Sequence, residues 1–182
     1  TWANSPMNKP TGPIAETTSR VGGLISGLQS MGAILVATGA ATFIKEMIDA
    51  ASHVKDVSDR LAISTTQVQQ YEHAVKLSGG SMDDVSRSIV KMSDNLANGN
   101  GNLADALKGT GLSISALKAM QPGQAFEAII EAIANTKDPM EQTRMALDAF
   151  GRSGAALLPA IRDGFLDVAH AAETMSEDAI SA

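Results

Sequence analysis

Apolar residues in this chain recur at intervals of three and four, and nowhere do they alternate over a useful length, so helices are the elements it can build. Met82, Val85, Ile89, Met92 and Leu96 step by 3, 4, 3 and 4, and Phe126, Ile129, Ile130 and Ile133 fill the i, i+3, i+4, i+7 pattern. The core palette agrees. Apolar residues make up 44% of the 182, but Phe, Trp and Tyr only 3%, so burial falls to Ala, Leu, Ile, Val and Met. The fold class expected is all-α, a segment of a larger elongated protein: the chain begins at Thr1 and shows no leader.

Punctuation divides it. Pro6, Pro10 and Pro13 make residues 1–13 a tail or linker, and no further proline occurs before Pro122. A long helix is expected over 14–62. Its residues 21–44 carry no charge and contain five glycines, among them Gly23, Gly27, Gly32 and Gly39. A run of that length could span a bilayer, while its glycines and hydroxyls suit close helix packing. These glycines and the central Ile34 are therefore the candidate self-association or membrane residues. Beyond Lys45, Ile44, Met47, Ala51, Val54 and Leu61 share one side, opposite the Lys55/Asp59 and Asp56/Arg60 pairs.

Residues 63–160 read as a compact cluster of short helices. Ser64 and Gln67 form a capping box, with Val68, Tyr71 and Val75 behind it and Gly79-Gly80 as a stop. Ser81 caps the next helix, with Asp83 and Asp84 in its first turn. Residues 98–102 are all Asn and Gly, which predicts a turn or mobile loop with a short helix over 103–108 after it. Gly109 and Gly111 break that helix, Ser113 caps a turn or two, and Pro122 opens the next. Asp138, Pro139 and Glu141 combine three helix-start signals, Gly151 follows the last residue of that helix, and Ser153 is expected to cap a segment kinked or restarted at Pro159. Leu158, Ile161, Phe165, Val168, Ala172 and Met175 predict a long closing helix over 161–182. Met82, Met92, Met140 and Met145 lie at or near core spacing.

Chemistry is sparsely signalled. A formal charge of −6 argues against a surface that holds phosphate backbones, and the lack of Cys removes disulfides and thiolate chemistry. No phosphate loop, dinucleotide fingerprint, HExxH or GxSxG occurs. His53, His73 and His170 share no helical turn, and the Asp83/Asp84 and Glu46/Asp49 pairs fall at a helix start or on a polar face. No catalytic, cofactor or metal residue is assigned, and no enzyme is expected.

Several pieces together carry a family likeness. They are DRLAISTTQVQQYEHAVKLSGGSMDDV, GTGLSISALKAM and PGQAFEAIIEAIANTKDPMEQTRMALDAFGRSGAALLPAI, in that order. Residues 45–161 resemble the conserved region of tailed-phage tail tape measure proteins. The most specific piece is F-G-x-x-G-x-x-L-L-P, carried by Phe150, Gly151, Gly154, Leu157, Leu158 and Pro159. The resemblance implies a structural virion protein that templates tail-tube length during assembly and is released at genome ejection. It implies residence in the tail lumen, in the host cytoplasm before assembly, contact with tube and tail-tip or baseplate proteins, and no sequence-specific nucleic-acid partner. Trimers or hexamers would suit the tail axis. The alternative is a membrane-active helical protein that inserts residues 21–44 into the host membrane to help form a channel for DNA.

Overall fold

A computed structural model describes residues 40–176, together with Asp178 and Ile180. The proline-rich tail, the first part of the expected long helix, and Gly23, Gly27, Gly32, Ile34 and Gly39 lie outside the described residues. All regular structure among those described is helical, in the order α1 (Ala40–Leu61), α2 (Thr65–Leu77), α3 (Met82–Ala97), α4 (Gly101–Ala106), α5 (Ile114–Lys118), α6 (Pro122–Asn135), α7 (Pro139–Phe150), α8 (Arg152–Arg162) and α9 (Phe165–Ala171).

The C-terminal half of α1 packs on α2 and α3 through Val54, Val57 and Leu61, whereas Ile48, Asp49 and Ala50 are exposed. The helix stops at Ala62, whose φ of 51° is left-handed, and the Ser58 hydroxyl donates to the Ile63 carbonyl at 2.6 Å. The Ser64/Gln67 capping box is formed in both directions: the Gln67 amide donates to Ser64 Oγ at 3.0 Å, and the Ser64 amide to Gln67 Oε1 at 3.1 Å. Ser81, Ser113 and Asp138 each cap the helix they precede.

A single core joins the elements. At its centre four aromatic rings meet: Tyr71 of α2, Phe126 of α6, Phe150 of α7 and Phe165 of α9. Their neighbouring centroids are 5.2–6.2 Å apart, in tilted or edge-on contact. Met82, Met92 and Met145 are buried here, but Met140, in the first turn of α7, is 81% exposed. Helical spacing alone placed it inward; in the fold its side chain lies on the solvent side of that turn.

Three boundaries depart from expectation. The closing helix is broken, because Gly164 takes φ +83°, ψ +47° and separates α8 from α9. That turn lays α9 along α2 and brings Phe165 into the aromatic cluster. The three-and-four stepping persists across it because both short helices face the same core. After Ala171 the helix stops, and Ala172 is extended. Second, α8 runs through Pro159 without restarting. The carbonyl that Pro159 deprives of an amide partner belongs to exposed Ala155, where water can serve it. Third, α4 begins at Gly101 rather than Leu103, capped by Asn100, and ends at Ala106.

Candidate functional site

The F-G-x-x-G-x-x-L-L-P residues form the joint between α7 and α8. Gly151 serves as C-cap of the first and N-cap of the second, so no linker separates them. Its φ +68°, ψ −150° is a combination essentially restricted to glycine, tighter than the left-handed conformation that merely ends a helix. Gly154 is needed for a different reason. A Cβ there would overlap the Ala146 carbonyl and Phe150 Cβ, so the two helices are at backbone contact. Phe150, Leu157 and Leu158 are buried and Pro159 is exposed. Ser153 is not the cap; its hydroxyl donates to the Phe150 carbonyl at 3.1 Å. At the far end of the pair, Arg162 Nε donates to Gln142 Oε1 at 3.0 Å, fastening the end of α8 to the start of α7 as in an antiparallel hairpin.

Asn95 of α3, 2% exposed, braces this joint from behind. Its Nδ2 donates to the Asp148 and Ala149 carbonyls at 2.9 and 3.0 Å, taking up acceptors that the end of α7 leaves without amides. Its Oδ1 accepts from Asn100 Nδ2 at 3.1 Å, and Asn100 Oδ1 accepts the Asn102 and Leu103 amides at 2.9 and 3.4 Å. Three helices thus meet on two asparagines. Sequence reasoning passed over both, because Asn100 lies in an Asn-Gly run that reads as loop and Asn95 is a polar residue beside the apolar seam of α3. The available signal was Asn100 itself, an N-cap residue type just before Leu103 and Ala106.

On the solvent side the joint opens into a shallow depression lined by Asp84, Arg87, Lys91, Gly151, Arg152 and Ser153. Arg87 pairs with Asp84 at 3.2 Å and Lys91 with Asp94 at 3.0 Å, on exposed surface where each pair contributes little.

A second polar cluster lies beside the aromatic core. The Tyr71 hydroxyl donates to Glu127 Oε1 at 2.6 Å, and Gln67 Nε2 donates to the same oxygen at 3.1 Å and to the Tyr71 hydroxyl at 3.2 Å. His170 Nε2 lies 3.8 Å from Glu127 Oε2. A Cβ on Gly123 would overlap the Gln67 amide, so α2 and α6 approach closely here. Burial, then the hydrogen bond to and the charge of Glu127, push the Tyr71 hydroxyl well above the usual phenol range. The group stays protonated as a donor, which suits an anchor and not a base.

Elsewhere the chemistry is thin. His53 and His73 are exposed, Asp84 is engaged with Arg87, and no three metal-ligating side chains converge among the described residues. No helix among the described residues is long and apolar enough to cross a membrane. Comparison with family models, with curated proteins and with solved structures gives no match. What the structure brings together is two glycines at a helix joint and the asparagines and aromatics that brace it.

Proposed function

We propose that this chain is a segment of a phage tail tape measure protein, a structural virion component that templates tube length and leaves at genome ejection. The observation that carries the reading is the way α1 meets the body. Its last turns are buried against α2 and α3, while Ile48, Asp49 and Ala50 upstream are exposed, so a helix runs into a compact helical knob. A helix advances about 1.5 Å per residue, the property a molecular ruler uses, whereas the cluster of short helices from α2 to α9 does not. The F-G-x-x-G-x-x-L-L-P joint adds the family likeness on residues with a demonstrable packing role. Self-association, as a trimer or hexamer, belongs to the proposal through the Gly-rich residues 21–44, with tube and tail-tip proteins as partners.

In-frame deletions in the parent gene test it. Removing residues from a long helical part is expected to shorten tails by about 1.5 Å per residue, and removing residues within 64–159 to abolish assembly. Tails of unchanged length after the first deletion would overturn the ruler. Tails that shorten by the same rule after the second would overturn the knob.

A further inference from the structure

Two Asn-Gly bonds lie side by side in the turn between α3 and α4, Asn98-Gly99 and Asn100-Gly101. This dipeptide is the one most prone to self-modification, because glycine offers no side chain to hinder its own nitrogen. The backbone nitrogen of the glycine attacks Cγ of the asparagine, a base takes the proton from that nitrogen, and the side-chain nitrogen leaves as ammonia. The resulting cyclic imide is opened by water at one carbonyl to give aspartate or at the other to give isoaspartate. Water is the only co-reactant. Ring closure requires the asparagine side chain to swing onto the next backbone nitrogen, so what holds that side chain sets the rate.

The two asparagines are held very differently. Asn98 is exposed at the C-cap of α3, and its side chain makes one hydrogen bond, from Nδ2 to Asp94 Oδ1 at 2.8 Å. The Gly99 amide donates to the Leu96 carbonyl at 3.1 Å, a last-turn bond at a solvated helix end, where opening costs least. Gly99 itself has φ +63° and nothing within 4 Å of the position its Cβ would take. Asn100 is half-buried. Its Nδ2 is engaged by Asn95, its Oδ1 by two backbone amides, and its own amide donates to the Asn95 carbonyl at 2.9 Å. Asn95 cannot turn away without releasing the two α7 carbonyls it serves. Among the described residues the Gly101 amide shows no acceptor, whereas that of Gly99 is bonded, so the difference between the two sites lies in the Asn100 side chain, which is immobilised.

We propose that Asn98 is a self-modifying site of the folded protein, converting to aspartate and isoaspartate, while the neighbouring Asn100 is protected by the three-helix bracket. Conversion puts a carboxylate beside that of Asp94 at the end of α3, where the helix dipole already disfavours negative charge. Isoaspartate also threads an extra methylene into the backbone at the α3 cap. The α3–α4 turn would thereby carry a record of the time since synthesis, independently of any role in a tail.

The test compares the folded chain with the same chain in guanidinium chloride, both held at mildly alkaline pH and sampled over days. Trypsin places Asn95, Asn98, Asn100 and Asn102 in one peptide, residues 92–108, in which fragment masses locate each amide lost; Asn95 and Asn102 precede leucine and serve as controls. In the folded chain Asn98 is expected to convert and Asn100 to persist, and in denaturant both convert. Gly99→Ala is expected to slow conversion of Asn98 several-fold without altering Asn100, and Asn95→Ala, checked for retained helical signal, to speed conversion of Asn100. An Asn98 that survives in the folded chain for as long as the controls, or an Asn100 that converts there as fast as Asn98, overturns the proposal.

Discussion

Tyr71 is the only tyrosine in the chain, so its ionisation can be followed without interference. Its hydroxyl is buried against Glu127, and burial raises its pKa in the folded state above the ordinary value near 10 that it regains on unfolding. The folded state therefore holds this proton more tightly. The associated stability is complete below pH about 10 and is lost as pH rises beyond it, by about 1.4 kcal/mol per pH unit. Phenolate absorbance is expected to appear together with loss of helical circular dichroism. A phenolate signal growing in the still-helical protein would show that Tyr71 is not locked. Glycine chemistry supplies another residue-scale test. Gly151→Val forces a β-branched side chain into a region essentially reserved for glycine and is expected to cost about 1–3 kcal/mol, read as a lowered denaturation midpoint. Gly154→Ala, which meets backbone rather than a conformational barrier, is expected to destabilise through steric overlap. Ala62→Gly acts in the opposite direction: it relieves a left-handed alanine worth about 1–2 kcal/mol, less the entropy glycine adds to the unfolded chain.

At the scale of the element, what could be read in the sequence was local. Ser64/Gln67, Ser81, Ser113 and Asp138 act within three residues of themselves, and each sits at the helix start it announced. What could not be read was decided by distant partners. Gly164 bends the chain so that Phe165 reaches Tyr71 and Phe126, a reason that no spacing within residues 158–175 contains. Asn100 becomes a cap instead of loop because Asn95, braced on α7, fixes its orientation. Ser153 yields its expected capping role because Gly151 has already turned the chain. The glycines of the α7–α8 joint were visible as a pattern, but the different demands on Gly151 and Gly154 were not. Pro159 offers the sharpest element-scale test. An exposed proline inside a helix costs about 3 kcal/mol relative to alanine, partly offset by the about 0.4–1 kcal/mol its rigidity saves in the unfolded chain. Pro159→Ala is accordingly expected to raise the urea midpoint; a lowered midpoint would mean that the ring makes a contact α8 depends on.

For the molecule as a whole, both the approach and the departure of the described chain are fastened to the same helix. Approaching it, α1 lies on α2 and joins it through residues 62–64. On departure, Gln69 of α2 grips the backbone of Met175 with both ends of its amide: Met175 N–H donates to Oε1 at 2.8 Å, and Nε2 donates to the Met175 carbonyl at 3.1 Å. Ile180 is buried beyond that grip. In mechanical terms, α2 is a crossbar between two tethers, and the hairpin of α7 and α8 is carried chiefly by the neighbouring α3. Tension along the chain would load the α1–α2 contact and the Gln69 grip first, peeling the ends away before the aromatic centre carried any force. A pulling experiment should then yield in two stages, a small early release that Gln69→Ala makes easier and a later cooperative rupture that it leaves unchanged. A body built this way would pay out chain from its two ends under load while its middle is still held together by Tyr71, Phe126, Phe150 and Phe165.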